Sequence, residues 1–218
     1  MSFSETDKSK IAVQVFDKLA DLYVEKYLDV SAYHTMLDQW SRPGATQRKR
    51  VLELACGPGN LSRYVLAQHP HWQWLGIDLS PRMVELAREL NPGARFEVMD
   101  VRNIRALPER FDAALIGFCF PYLDRTEVQA LLQDLNNLLE PGSLVYISTE
   151  EGSYETSKWV TGSRGDQVFM HYYSETDFQE MLSASGFSIC FTERNLTTLP
   201  NGHTINDLIL IAQKKPAD

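Results

Sequence analysis

Cysteine is scarce in this sequence. Cys56, Cys119 and Cys190 are its only three, far apart and outside any CxxC pair. A disulfide framework and a cysteine-built zinc site are therefore excluded, and no other residue set reads as a metal site. Long apolar runs are missing too. Nothing approaches the roughly 20 residues that cross a bilayer. The opening MSFSETDKSK is polar and lacks the apolar centre of a secretory signal, so a cytoplasmic location is expected. Basic charge is in deficit, with 21 Lys and Arg against 29 Asp and Glu, a net charge of -8. That argues against a nucleic-acid partner or an anionic membrane surface. There is no internal repeat or low-complexity tract, and nothing in the chain sets an oligomeric state.

The chain is nevertheless rich enough to fold, with 44% hydrophobic and 23% charged residues over 218 positions. That suits one α/β domain with a modest accessory element. Residues 1–10 read as frayed. Ile11, Val15, Leu19, Leu22, Tyr23 and Tyr27 recur at helical spacing, as one amphipathic helix or two with a break. Residues 31–41 form another helix, stopped by Arg42-Pro43-Gly44. Strands follow at 51–55, 72–77, 95–99, 111–118 and 143–149, separated by helices at 60–68, 82–90 and 126–139. Ser80 caps the second of these helices and Pro81 suits its first turn; Pro141-Gly142 closes the third. Strand–helix alternation argues for a parallel sheet covered on both faces. Residues 151–173 are polar and aromatic with weak periodicity. Ser174 caps a helix to about Ser185, Gly186 ends it, and two strands at 187–193 and 207–212 flank the loop LTTLPNGHT.

The segment VLELACGPGN, residues 51–60, carries the strongest functional signal. A buried strand runs into a turn where Gly57 and Gly59 permit positive φ and close approach of a ligand. Asn60 opens a helix whose free N–H groups favour an anionic group. Asp78 closes the next strand, about 20 residues on, where an acid binds ribose hydroxyls in doubly wound folds. The nicotinamide fingerprint wants a third glycine where Ser62 stands, and Glu53 places a charge inside the strand, which demands a partner.

With E-L-A-C-G-P-G, an acid followed by small residues and G-x-G, the segment resembles the class I methyltransferases that use S-adenosylmethionine (SAM). The likeness covers about residues 45–150 well and the ends more loosely. It implies a Rossmann-like, doubly wound, seven-stranded sheet, mostly parallel, with one antiparallel strand near the C-terminus and N-terminal cap helices. It divides a single domain into a helical cap (1–44), a SAM-binding core (45–150), a substrate lid (151–173) and a C-terminal helix with antiparallel strands (174–218).

By the same resemblance, Glu53 lies beneath the SAM amino group. Ala55, Cys56, Gly57, Gly59 and Asn60 face its methionyl and ribose portions, and Asp78 holds the ribose. Leu79 and Met83 pack on the adenine, Asp100 accepts from the adenine amino group, and Val101 lies beside the ring. FDKLADLYVEKY, residues 16–27, resembles a cap helix whose Phe16, Asp17 and Tyr23 cover the pocket. Phe118 to Tyr122 leave the fourth strand beside the methyl group, with Phe118 at the cofactor and Phe120 and Tyr122 at the acceptor. Trp159 and Tyr173 in the lid region add acceptor contacts.

Departures matter as well. There is no D-P-P-Y, N-P-P-Y or Pro-Cys pair of the base-modifying enzymes. The histidine that small-molecule relatives often carry near Pro121-Tyr122 is missing, so a general base is open, with Tyr122 and His171 as candidates. Cys119 reads as a small buried residue. The expected function is methyl transfer from SAM, yielding S-adenosylhomocysteine, to an O, N or C atom of a small molecule. A SAM-binding regulatory subunit without turnover, a nicotinamide-dependent oxidoreductase and a protein-methylating enzyme stay open as alternatives.

Overall fold

The structure is a computed structural model and describes residues 7–162, 164–198 and 204–216. Asp7 begins it as a helix cap, its carboxylate accepting from the Lys10 N–H, so that α1 (Lys8–Lys18) starts inside the stretch expected to fray. Residues 1–6 of that stretch lie outside the described residues. Leu19 separates α1 from α2 (Ala20–Tyr27), and a 3₁₀ turn at Ser31–Tyr33 leads into α3 (His34–Ser41).

The alternating core then follows as β1 (Arg50–Leu54), α4 (Asn60–Gln68), β2 (Gln73–Asp78), α5 (Pro81–Leu90), β3 (Arg95–Val98) and β4 (Phe111–Gly117). Ser80 caps α5 by accepting from the Met83 N–H, with Pro81 at its first position. Next come α6 (Arg125–Leu138) and β5 (Leu139–Glu150). A reciprocal box starts α6: the Asp124 side chain takes the Glu127 N–H while Glu127 takes the Asp124 N–H, an arrangement worth about 1 kcal/mol. The chain closes with β6 (Lys158–Thr161), β7 (Gln167–Met170), α7 (Glu175–Ala184), β8 (Phe187–Thr198) and β9 (Thr204–Lys214).

Seven strands form one sheet in the order β3-β2-β1-β4-β5-β9-β8. The first five are parallel, and β9 runs antiparallel to both β5 and β8. This is the doubly wound, mostly parallel sheet with one reversed strand that was expected. Side chains alternate across it with period 2. Leu52, Leu54, Ile116 and Ile147 face α6 and α7, packing with Leu131, Leu135 and Phe178. Val51, Leu115 and Tyr146 face the opposite layer, with Trp40, Val65 and Val84. Among the described residues no helix is long and apolar enough to cross a membrane.

Two expectations need correction. Pro141-Gly142 does not precede the fifth strand but sits inside it. Leu139 already pairs with Phe111, and the register slips before Leu144 meets Ala113. The α6 residues pass straight into β5 because Phe111, wholly buried, seats Leu139 immediately. Residues 151–173 are also more regular than their weak periodicity suggested: β6 and β7 pair as an antiparallel hairpin, separate from the main sheet. Four-residue strands are too short to display an alternation. Of the loop LTTLPNGHT, residues 199–203 lie outside the described residues.

Candidate functional site

The parallel strands β1, β2, β3 and β4 end together, and their carboxyl ends frame a cleft of about 830 Å³, counting space open to solvent. Such an edge is where α/β sheets bind ligands. The turn after β1 makes one wall. Ala55, Gly57 and Gly59 all have positive φ, at 51°, 52° and 74°. Gly59 holds the first position before α4, and a Cβ there would stand 2.5 Å from Asn91 Nδ2. Gly57 differs: a Cβ would meet nothing within 4 Å, because the residue faces the open cleft.

Asp78 ties the first two strand exits together. One carboxylate oxygen accepts the Gly57 N–H at 2.9 Å and the other the Ser80 N–H at 2.8 Å. Burial pushes its carboxyl above the usual range, and these backbone bonds offset part of that rise. Across the cleft, Phe118 at the exit of β4 also has positive φ, 52°. Ala55 and Phe118 are the two non-glycine residues with positive φ among those described, and both line the cleft. Each costs about 1–3 kcal/mol, a strain that concentrates at functional sites.

Glu53 lies behind this wall. It is 1% exposed and accepts from the Ser62 hydroxyl and, at 3.0 Å, from the Trp74 indole N–H. Burial lifts its carboxyl to about 7, more than these two donors lower it. Ser62, at the position where a dinucleotide fingerprint has glycine, thus serves to hold Glu53.

The far wall is formed by Leu79, Met83, Asp100, Val101 and Arg102. Arg102 grips the Asp100 carboxylate from Nε and Nη2, at 3.0 and 2.7 Å, and also reaches Glu127 at 2.8 Å and Asp7 at 3.2 Å. Burial works to raise Asp100, but the Arg102 hydrogen bonds and charge leave it below the ordinary range.

The cap helices α1 and α2 roof the cleft with Ala12, Val13, Phe16 and Tyr23. Asp17 anchors them, accepting from the Ser80 hydroxyl at 2.7 Å and the Arg82 N–H at 3.0 Å. Ser9 donates to the Tyr122 carbonyl at 2.6 Å. Phe16 meets Tyr122 edge-on, at 5.1 Å between ring centroids, and Tyr23 at 6.0 Å.

The cleft therefore brings together Tyr23, Ala55, Gly57, Asp78, Leu79, Met83, Asp100, Val101, Phe118 and Tyr122 of the residues named from sequence. Glu53, Cys56, Gly59 and Asn60 stand outside its lining. Cys56 is buried, and Asn60 donates to the Tyr27 carbonyl at 2.8 Å. Phe120 is wholly buried against Phe178. Tyr173 is buried as well, donating to the Leu123 carbonyl at 2.6 Å. Trp159, 46% exposed, packs on Phe169 in the hairpin rather than on the cleft.

His171 is held by its backbone N–H to the Pro121 carbonyl at 2.8 Å and lines a neighbouring pocket with Lys8, Asp124 and Glu127. Burial pushes its imidazole down, and its Nδ1 finds no partner among the described residues. Burial pushes the Tyr122 phenol and the Cys119 thiol far up, so neither ionises readily. Sequence reasoning missed Ser9 and Arg102. Arg102 follows Asp100 by two positions inside a 3₁₀ turn, where neither helical nor strand periodicity marks an inward side chain.

A family model described as "Methyltransferase domain" matches residues 51–142. The chain is 29% identical over 99 residues to putative methyltransferase 235L of Invertebrate iridescent virus 6, covering 45% of this chain and 36% of that protein. It is 30% identical over 146 residues to trans-aconitate 2-methyltransferase of Methylobacterium nodulans, covering 62% of this chain and 55% of that one. It thus spans about a third to a half of these two relatives. In fold it is similar to 1,6-didemethyltoxoflavin-N1-methyltransferase of Burkholderia thailandensis, with a TM-score of 0.73, 19% identity and coverage of 99% and 92% of the two chains. The matched segment holds β1, the glycine turn, Asp78, Asp100 and the exit of β4, the same residues that frame the cleft.

Proposed function

We propose that the protein binds SAM in the cleft at the carboxyl ends of β1–β4 and transfers its methyl group to an O, N or C atom of a small molecule. The observation that carries this reading is the meeting of Gly57, Asp78 and Asp100 in one cleft floored by the strained exits of β1 and β4. The residues fit the cofactor. Asp78 keeps a lone pair on each oxygen beyond those taken by Gly57 and Ser80, as a ribose diol requires. Gly57 leaves open space where a side chain would stand. Leu79, Met83 and Val101 supply an apolar slot for a planar ring.

Bound there, SAM supplies a methyl on a sulfonium, whose departure leaves a neutral thioether. The chain's part is alignment and exclusion of water. Phe16, Tyr23, Phe118 and Tyr122 close the methyl end with aromatic rings. Tyr122, its phenol pushed up by burial, acts as wall and hydrogen-bond donor rather than as base. His171 serves the adjoining pocket. An acceptor that is already nucleophilic, or that loses its proton to solvent, suits such a site.

Asp78 and Asp100 are committed to the cofactor in this reading, and no other carboxylate or histidine among the described residues lines the cleft; that favours a second reading, a SAM-binding partner protein without turnover. Titration calorimetry with SAM and S-adenosylhomocysteine, on the wild type and Asp78→Ala, tests the cofactor. Micromolar-range binding lost in the variant is expected; no binding of either compound by folded protein sinks the proposal. Turnover against an acceptor panel then separates enzyme from partner protein.

A further inference from the structure

The cap helices carry two apolar faces, and the core uses one of them. Ala20, with Phe16, Tyr23 and Val24, packs on Met83 and Leu86 of α5. Val15, Leu19 and Leu22 point elsewhere and belong to none of the hydrophobic clusters of the described residues. They line a second cavity, of about 680 Å³ counting space open to solvent, between α1–α2 and the turn of the β6–β7 hairpin, where Val168 faces them. This cavity shares Phe16 and Tyr23 with the cofactor cleft, so the two are neighbours across a pair of aromatic side chains.

Its rim is cationic. Lys26 and Arg164 both line it, and neither has an ion-pair or hydrogen-bond partner among the described residues. The acid at the rim, Asp166, is already neutralised by Lys18 at 2.7 Å. An apolar trough with two uncommitted cations at its edge complements an apolar chain that ends in an anion. Burying such a chain yields about 0.8 kcal/mol per methylene. The cations supply discrimination by charge sign more than raw affinity.

We infer that this groove is the acceptor's binding site and that the acceptor is elongated, with its methyl-accepting atom entering the cleft past Phe16 and Tyr23, an apolar body on Val15, Leu19 and Leu22, and a carboxylate or phosphate at the far end beside Lys26 and Arg164. The inference rests on the reading of the neighbouring cleft as the SAM site. It also assigns the hairpin a role: its turn residues, rather than Trp159, contact the acceptor.

The probe is dodecyl phosphate, titrated by calorimetry below its micelle concentration into wild-type protein, a Lys26→Glu/Arg164→Glu variant and a Leu22→Gln variant. Saturable one-to-one binding is expected for the wild type. Both variants should weaken it at least tenfold, and dodecyltrimethylammonium should not compete in the wild type. SAM is titrated into the same samples. Its affinity should stay within twofold in the charge-reversed variant, which shows that the variant is folded. Failure of SAM to bind in any sample while dodecyl phosphate binds overturns the cofactor reading and with it the acceptor role, and leaves the groove assigned only as a site for an alkyl anion. The inference is overturned by absent or non-saturable alkyl phosphate binding, by equal binding in the variants, by equal competition from the ammonium probe, or by a wild-type dimer that Leu22→Gln dissociates. Dodecanoate in place of the phosphate separates a carboxylate-selective rim from a phosphate-selective one.

Discussion

Arg102 Nη2 stands 2.7 Å from Asp100 Oδ2, and the same guanidinium reaches Asp7 at 3.2 Å on the segment that begins the cap. One side chain thus braces the acid on the far wall of the cleft and fastens the roof above it.

Arg102→Gln should therefore weaken SAM binding about tenfold, since charge-assisted hydrogen bonds contribute about 1.5–3 kcal/mol each and each 1.4 kcal/mol is tenfold. Asp7→Asn removes only the roof contact and should cost less than threefold. Calorimetric affinities of both variants check this. Unchanged affinity in Arg102→Gln means that Asp100 needs no brace.

Glu53 gives the protein a pH signature. Its carboxyl is raised to about 7 from an ordinary 4.5. The folded state thus holds an extra proton between those values, and stability falls as pH rises through that window. The full difference corresponds to about 3 kcal/mol. Glu53→Gln keeps the shape without the charge. It should flatten the decline between pH 5 and 8 and melt above the wild type at pH 8. Thermal melts at both pH values decide; parallel profiles for the two proteins would show that Glu53 does not titrate in this window.

The two turn glycines should fail differently. Gly59→Ala adds a Cβ 2.5 Å from Asn91 Nδ2 at a φ of 74°. A loss of about 2–5 kcal/mol is expected from left-handed strain plus overpacking. Gly57→Ala meets no atom within 4 Å and should cost only about 1–2 kcal/mol of strain, yet it fills cleft space and should abolish SAM binding. Denaturant melts paired with calorimetry check the contrast. A stable Gly59→Ala protein, or tight SAM binding by Gly57→Ala, would refute it.

What could be read in advance followed from local rules. The glycine turn, Asp78 at its strand end and the Ser80-Pro81 cap are each written within a few residues, and the reversed strand came with the family resemblance. The start of β5 was misread because Pro141-Gly142 is a stop signal in isolation. Only the pairing of Leu139 with Phe111, distant in sequence, overrides it. The family resemblance puts Phe120, Tyr173 and Trp159 at the acceptor by their place in the chain. Which way a side chain points after a 3₁₀ turn or in a hairpin depends on tertiary packing: Phe120 turned inward onto Phe178 and Trp159 outward onto Phe169. Arg102 was missed because its partners, Asp7 and Glu127, converge on it only in three dimensions.

The roof over the cleft has a kinetic consequence. It is built from residues that precede the first sheet strand and is pinned through Asp17 to Ser80 and through Ser9 to the Tyr122 carbonyl. We expect exchange of a molecule bound beneath it to wait on the release of those pins. Exchange is then a first-order event set by the lifting of α1 and α2, and the observed binding rate should level off at high ligand concentration instead of climbing with it.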